Sequence, residues 1–418
     1  MEIIQLTILP ILLLIILFMS GLGLSSYFFK DLDKEAQFIL APIIGISTIV
    51  FIISLLLLVG LTGKQASLIV AFCLLTIDII RTKYIFELIK SIRLRLVIFC
   101  LILLIFLYYI LTPLYKLGYA TTITYFVGDA VLYIPATDFI SNNSIYSKLF
   151  NVYTNPLSDS RFNTIGQYYA RDLFYAGSRW GTPIVLVFFH ILSGYSVIQI
   201  FSILSYIIFI ISGLLTYEII NSYIKKTNIL FTILLSLFFL FNYSLFWIAI
   251  NGQITQTIVI VFFLSIIFLT NNDNLFNSKI SKKLWLGFAL IANATLLVYF
   301  EYSPFIFIPF ITYCLYKFVK KKEIKNGVIF VLLVFFINPI SVFLILKSIF
   351  QFSNAITLNG VSMPNFNFFE IMGFSNVIIK SGMIYSLQKN IFQTLIYISI
   401  FFTLIFLLIK KFNYFIFQ

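Results

Sequence analysis

The segment from residue 115 to 181 carries Asp129, Asp138, Asp159 and Asp172 together with Lys116, Lys148, Arg161, Arg171 and Arg179. Those four acids stand out because the whole chain of 418 residues holds only fifteen. A carboxylate near a membrane surface can take a proton from a hydroxyl, and a guanidinium can hold a phosphate through two parallel hydrogen bonds. Acids and arginines gathered this way are equipment for chemistry on a lipid-linked phosphate. Arg179 is the preferred phosphate ligand because it directly precedes Trp180 and the apolar run TPIVLVFFHIL, with Arg161 and Arg171 as further candidates. The simpler alternative is that these side chains solvate a surface loop.

The elements that must position them are set by composition. With 61% hydrophobic, 19% aromatic and 10% charged residues, the chain far exceeds the apolar content of soluble domains and reads as a polytopic membrane protein. Apolar runs long enough for helices fall at roughly 3–29, 36–60, 66–80, 96–114, 196–220, 229–248, 254–270, 284–300, 302–318, 327–350 and 391–409, which predicts an all-α fold of about eleven transmembrane helices. The alternating segments of about ten residues that mark a transmembrane barrel are missing. The first run is read as retained, since Glu2 stands where a signal peptide has basic residues. Cys73, Cys100 and Cys314 all lie in apolar runs and are expected to be small core residues.

The net charge of +13 comes from basic clusters at Lys30/Lys34, Arg81 to Arg95, Lys225/Lys226, Lys279 to Lys283, Lys317 to Lys325 and Lys410/Lys411, each between apolar runs. Such clusters favour the cytoplasmic side, so the charge points to membrane topology and not to nucleic acid. All six share a side only if residues 182–192 do not cross; eleven residues are too short for an ordinary span and suit a re-entrant or interfacial helix. The N-terminus, the 115–181 loop, the turn at Asn251 to Gln253, the turn at Glu301 and the 351–390 loop then lie outside. The predicted organisation is a four-span region at 1–114, a loop with short amphipathic helices at 115–195, a helical bundle at 196–350, a second outer loop at 351–390, and a last span with its tail at 391–418.

The long loop is too aromatic to be disordered, and a helix is predicted to start near Gly128 and run through VLYIPATDFI. Around it, Glu301 at an outer helix end is either used in the site or wetted at the interface. His190, the single histidine, sits in the short apolar helix, where one structural hydrogen bond is its simplest role. Asn251, Gln253 and Gln256 could bind sugar hydroxyls or join helices. Asp78 and Glu218 are expected to pair with Arg81 and Lys225.

The order of an apolar span, GDAVLYIPATDFISNNSIY, RWGTPIVLVFFHILSGYS and a long apolar span resembles the GT-C superfamily of membrane glycosyltransferases, which use polyprenyl-phosphate-linked sugars. Asp129, Tyr133, Ala136 and the stretch from Ile140 to Tyr146 carry the match, with Thr182, Pro183 and Ile184 through Ser193 and Gly194 in the place of the short helix after the loop. The resemblance covers about residues 105–220. It implies that Asp129 is the general base. Many relatives have a second acid directly after the first, where this chain has Ala130, and four spans precede the loop instead of one.

The expected activity is transfer of a sugar from a polyprenyl-phosphate donor to a saccharide, lipid or protein acceptor at the outer face of the cell membrane. One base without a covalent intermediate gives inversion. Tyr133, Asp138, His190, Asn251, Gln253 and Glu301 are auxiliary or substrate-binding candidates; no cofactor is demanded by the motifs, and a divalent metal ion is left open. Two other readings stand beside it: an O-antigen-type polysaccharide polymerase or ligase that relies on Arg161, Arg171 and Arg179, and a non-enzymatic transporter or flippase of lipid-linked saccharides. The scarcity of charge at mid-membrane favours the enzymes. No P-loop, dinucleotide fingerprint or zinc spacing occurs.

Overall fold

The computed structural model describes residues 2–123, 129–146, 169–170, 173–174, 179–223, 229–276, 282–299, 303–321, 323–341 and 343, and every regular element among them is helical. In chain order these are α1 (Glu2–Met19), α2 (Leu22–Phe28), α3 (Lys34–Leu58), α4 (Gly63–Ile80), α5 (Thr82–Lys90), α6 (Leu94–Ile110), α7 (Thr112–Leu117), α8 (Asp129–Asn142) and α9 (Gly181–Ser193). They continue with α10 (Val197–Tyr223), α11 (Ile229–Leu240), α12 (Tyr243–Ile250), α13 (Ile254–Thr270), a 3-10 turn at Asp273–Phe276, α14 (Lys282–Val298), α15 (Ser303–Lys320) and α16 (Ile324–Phe336). With so little polar side-chain material, each segment satisfies its backbone internally and packs by apolar surface.

Helix α10 is the axis of the bundle: 89% of its most apolar window is buried, against 33% for α4 at the periphery. It packs along α13 in parallel, since Ser205 approaches Thr257 at 3.5 Å near their starts and both helices end at one cleft. The bundle thus has two ends. At the first, which carries Asp129, Thr122 donates to the Ile198 carbonyl at the start of α10, and the Tyr146 hydroxyl donates to the Leu58 carbonyl at the end of α3. At the second, which carries Glu218, Glu35 at the start of α3 meets Arg95 at the start of α6. Helix α14 runs from Lys283, stacked over Tyr27, to Val298, packed on Gly181.

Helix α9 begins and ends at the Asp129 end. Gly181 at its start lies against Val298, and beyond its left-handed cap at Gly194 (φ 72°) the chain turns into α10. The segment around Asp129 is helical, as expected, forming α8, which packs on α9 and α4.

Two expected spans are broken, and a third is interrupted without being lost. The run at 3–29 remains one candidate span, Ile4–Phe28, with a helix interruption at Ser20 and Gly21, where the chain comes so close to α3 that a Cβ on Gly21 would overlap the Ala41 carbonyl. The run at 96–114 stops at Leu111 ahead of Pro113, and the run at 229–248 stops at Phe241 and Asn242. The basic stretch after Arg81 is not a bare connection but the amphipathic helix α5, set at 90° to α6. Among the described residues four helices are long and apolar enough to cross a membrane, or five if α5 and α6 form one broken span. The expected run at 391–409 and the 351–390 loop lie outside the described residues. The apolar helices place the protein in a lipid bilayer.

One pairing differs from expectation. Asp78 accepts from the Gly23 backbone N–H at 2.8 Å instead of binding Arg81, whose guanidinium donates to the Ser26 carbonyl at 2.7 Å and stacks on Tyr84 at 4.0 Å. Both choices stitch α4 to α2, because the α2 backbone offers unpaired groups where the short helix begins and ends. Lys225 lies outside the described residues, and with it the expected pairing to Glu218; among the described residues Glu218 stands near Glu35, Asp33 and Arg95. Cys314 is buried as expected, whereas Cys73 is exposed on α4, on a face that apolar neighbours such as Phe72 share.

Candidate functional site

Asp129 is the first described residue of α8, half-buried, at the end where unpaired backbone N–H groups favour a negative charge. Tyr133 follows one turn later on the same helix face and is fully buried. Arg179, placed just before α9, donates from Nη1 to the Tyr133 hydroxyl at 3.3 Å, and its guanidinium lies over the Tyr299 ring at 4.3 Å. The aromatic platform fixes the plane of the guanidinium, whose donors lie along its edge.

Beneath this group, the Thr182 and Thr255 hydroxyls are hydrogen-bonded at 2.9 Å and both residues are fully buried. They tie the start of α9 to the start of α13, so that Arg179 is held by two helices. Thr255 also faces the Tyr133 hydroxyl. Burial, reinforced by the nearby Asp129 charge, drives the Tyr133 phenol well above its ordinary range, and Arg179 only partly offsets this. The phenol therefore stays protonated: it accepts from Arg179 and keeps its own proton to donate.

Trp180 anchors the turn, buried and edge-on to Phe174 at 4.8 Å, with its indole N–H unpaired among the described residues. Asn251 is buried in the turn before α13, where Gly252 supplies the positive φ of 67°. Its side-chain oxygen and that of Gln256 are buried without a hydrogen-bond partner among the described residues, and Gln253 caps α13 by position but not by a side-chain bond. The α12–α13 turn thus presents amide groups at the Asp129 end.

Asp138 and His190 belong to a different contact. Nine residues beyond Asp129, Asp138 looks to His190, and burial holds its carboxyl above the usual range while the histidine works against that rise. His190 Nδ1 donates to the Tyr195 carbonyl at 2.6 Å, closing the C-terminus of α9, as its simplest expected role requires. A carbonyl only accepts, which fixes the proton on Nδ1.

Of the sequence-derived candidates, the structure brings Asp129, Tyr133 and Arg179 together and sets Asp138 and His190 apart. Arg161, Arg171 and Glu301 lie outside the described residues. Thr182 was part of the stretch matched to the short helix after the loop; Thr255 and Tyr299 were not singled out by sequence, although each sits two residues from one that was. Among the described residues no three His, Cys, Asp or Glu side chains are grouped as metal ligands. Compared with known proteins, the chain matches no family model, no curated protein and no solved structure.

Proposed function

We propose that the protein is a membrane glycosyltransferase of the GT-C type, with about eleven spans and α9 as a re-entrant helix, that moves a sugar from a polyprenyl-phosphate donor to an acceptor hydroxyl outside the cell membrane. The observation that supports it is the joining of Asp129, Tyr133 and Arg179 at one end of the bundle. Asp129 takes the acceptor proton as the hydroxyl oxygen bonds to the anomeric carbon. The bond from that carbon to the phosphate oxygen breaks, the polyprenyl phosphate leaves with the electron pair, and the anomeric configuration inverts. Arg179, planar against Tyr299, meets the growing charge on the phosphate. Asn251 and Gln253 are placed for sugar hydroxyls.

Purified protein in lipid vesicles, supplied with a panel of polyprenyl-phosphate sugars, tests the reading by transfer to a labelled acceptor. Arg179→Lys is expected to weaken donor binding by about tenfold or more, because a point charge replaces a planar fork and loses the stacking on Tyr299. Unchanged donor affinity would return Arg179 to a purely structural role.

Sidedness is tested separately. Basic clusters favour the cytoplasmic side, which assigns the Glu218 end to it in this reading, so single cysteines at Ser222 and Ser144 should label from opposite sides of sealed vesicles. Labelling of both from one side would sink the topology.

A further inference from the structure

We propose that the cleft at the Glu218 end binds the headgroup of a zwitterionic aminophospholipid, its phosphodiester on Arg93 and Arg95 and its primary ammonium between Asp33 and Glu218. The cleft measures 430 Å³, within the range of roughly 300–1,000 Å³ typical of small-ligand sites. It is built from helix ends: the N-cap of α3 (Asp33), the start of α6 (Arg93, Arg95), the last two turns of α10 (Glu218, Asn221) and the C-cap of α13 (Asn271). It lies about 24 Å along α13 from Thr255, and so is separate from the transfer site.

Among the described residues the lining carries Asp33, Glu218, Arg93 and Arg95, and their arrangement selects the ligand. Behind the cleft Glu35, only 2% exposed, accepts from the Arg93 backbone N–H at 3.0 Å and from Arg95 Nη2 at 3.1 Å. That carboxylate orients the α6 start but engages a small share of the five N–H donors on each guanidinium. Arg95 Nε is a buried donor with no hydrogen-bond partner among the described residues, Asn221 stands beside the Tyr217 hydroxyl, and both Arg95 and Asn221 line the cleft. A phosphate oxygen satisfies such a donor. Asp33 and Glu218 offer acceptors on the same cleft, and a primary ammonium brings three N–H donors to them. A phosphate without an amine would face two carboxylates unaided, and an amine without a phosphate would face two guanidiniums. A headgroup carrying both meets all four.

The location fits a lipid. Amphipathic α5, at 90° to α6, lies as a surface helix does, which brings Arg93 to the depth of the headgroups.

Delipidated full-length protein in detergent is titrated by native mass spectrometry with phosphatidylethanolamine, phosphatidylcholine and phosphatidylglycerol of identical chains, and with soluble phosphoethanolamine. Phosphatidylethanolamine is expected to bind about tenfold more tightly than either other lipid, since choline cannot donate hydrogen bonds and glycerol carries no amine. Glu218→Gln should erase the preference over phosphatidylcholine, and Asn221→Leu should weaken all three lipids. Equal binding of phosphatidylethanolamine and phosphatidylcholine, tighter binding of phosphatidylglycerol, or a preference untouched by Glu218→Gln would overturn the proposal. Soluble phosphoethanolamine binding as tightly as the lipid would overturn the lipid assignment. The wild-type selectivity decides the matter even if a variant fails to fold.

Discussion

Asp129→Asn is expected to lower sugar transfer by about 10² to 10⁴, the usual cost of losing a general base, while donor binding and thermal stability stay near those of the parent protein. Asparagine keeps the shape and accepts a hydrogen bond but cannot take the acceptor's proton. The position suits an ionised carboxylate, because the start of α8 presents backbone N–H groups and the Tyr133 phenol one turn on remains a proton donor. Asp138→Asn should do far less. It is nine residues away, two and a half turns of helix, and it faces His190. The measurement is transfer to acceptor by purified variants in lipid, with donor binding followed in parallel. Near-normal turnover in Asp129→Asn, or equal loss from both variants, would remove Asp129 from the reaction and leave the arginine-centred polymerase reading ahead.

Sequence carried the coarse architecture because a bilayer imposes one rule on every segment: apolar length. That rule located α3, α4, α10 and α13 within a few residues. It could not see where helices are interrupted inside a run, since an interruption is decided by the neighbour. Nothing local in LFMSGLGLS says that Gly21 meets the Ala41 carbonyl; the contact joins two segments twenty residues apart. Side-chain pairing was illegible for the same reason. Asp78 and Arg81 are close in sequence, but each finds a better partner on α2, where helix ends leave backbone groups open.

The candidate site was legible where chemistry is local and hidden where it is assembled. Asp129 and Tyr133 share a helix face by simple spacing, so a sequence reading can pair them. Thr255 and Tyr299 come from α13 and the end of α14, and only packing brings them to Arg179. Their neighbours carried the signal: Thr255 lies in the NGQITQ stretch, and Tyr299 lies two residues before Glu301.

Gly21→Ala is expected to be the most damaging single methyl addition in the N-terminal bundle. The new Cβ would overlap the Ala41 carbonyl oxygen and come within 3.0 Å of the Gly45 nitrogen, both backbone atoms of α3 that cannot rotate away. Gly45 on the opposite side is equally confined by Ser20, so neither helix has a small residue left to yield. Overpacking usually costs about 1–3 kcal/mol, and the upper part of that range applies where rigid backbone is the obstacle. The consequence reaches beyond the contact. Helix α3 supplies Glu35 at one end and the Leu58 carbonyl that anchors Tyr146 at the other, so displacing it disturbs both ends of the bundle. Gly118→Ala is the control: its φ of 82° strains any residue with a Cβ by about 1 kcal/mol, yet no atom lies within 4 Å of the added methyl. Gly21→Ala should therefore lower the unfolding temperature of detergent-purified protein well below that of Gly118→Ala and reduce the monodisperse fraction on size exclusion. A Gly21→Ala protein that unfolds no earlier than the Gly118→Ala variant would mean that α1 and α2 do not cross α3 at this close approach.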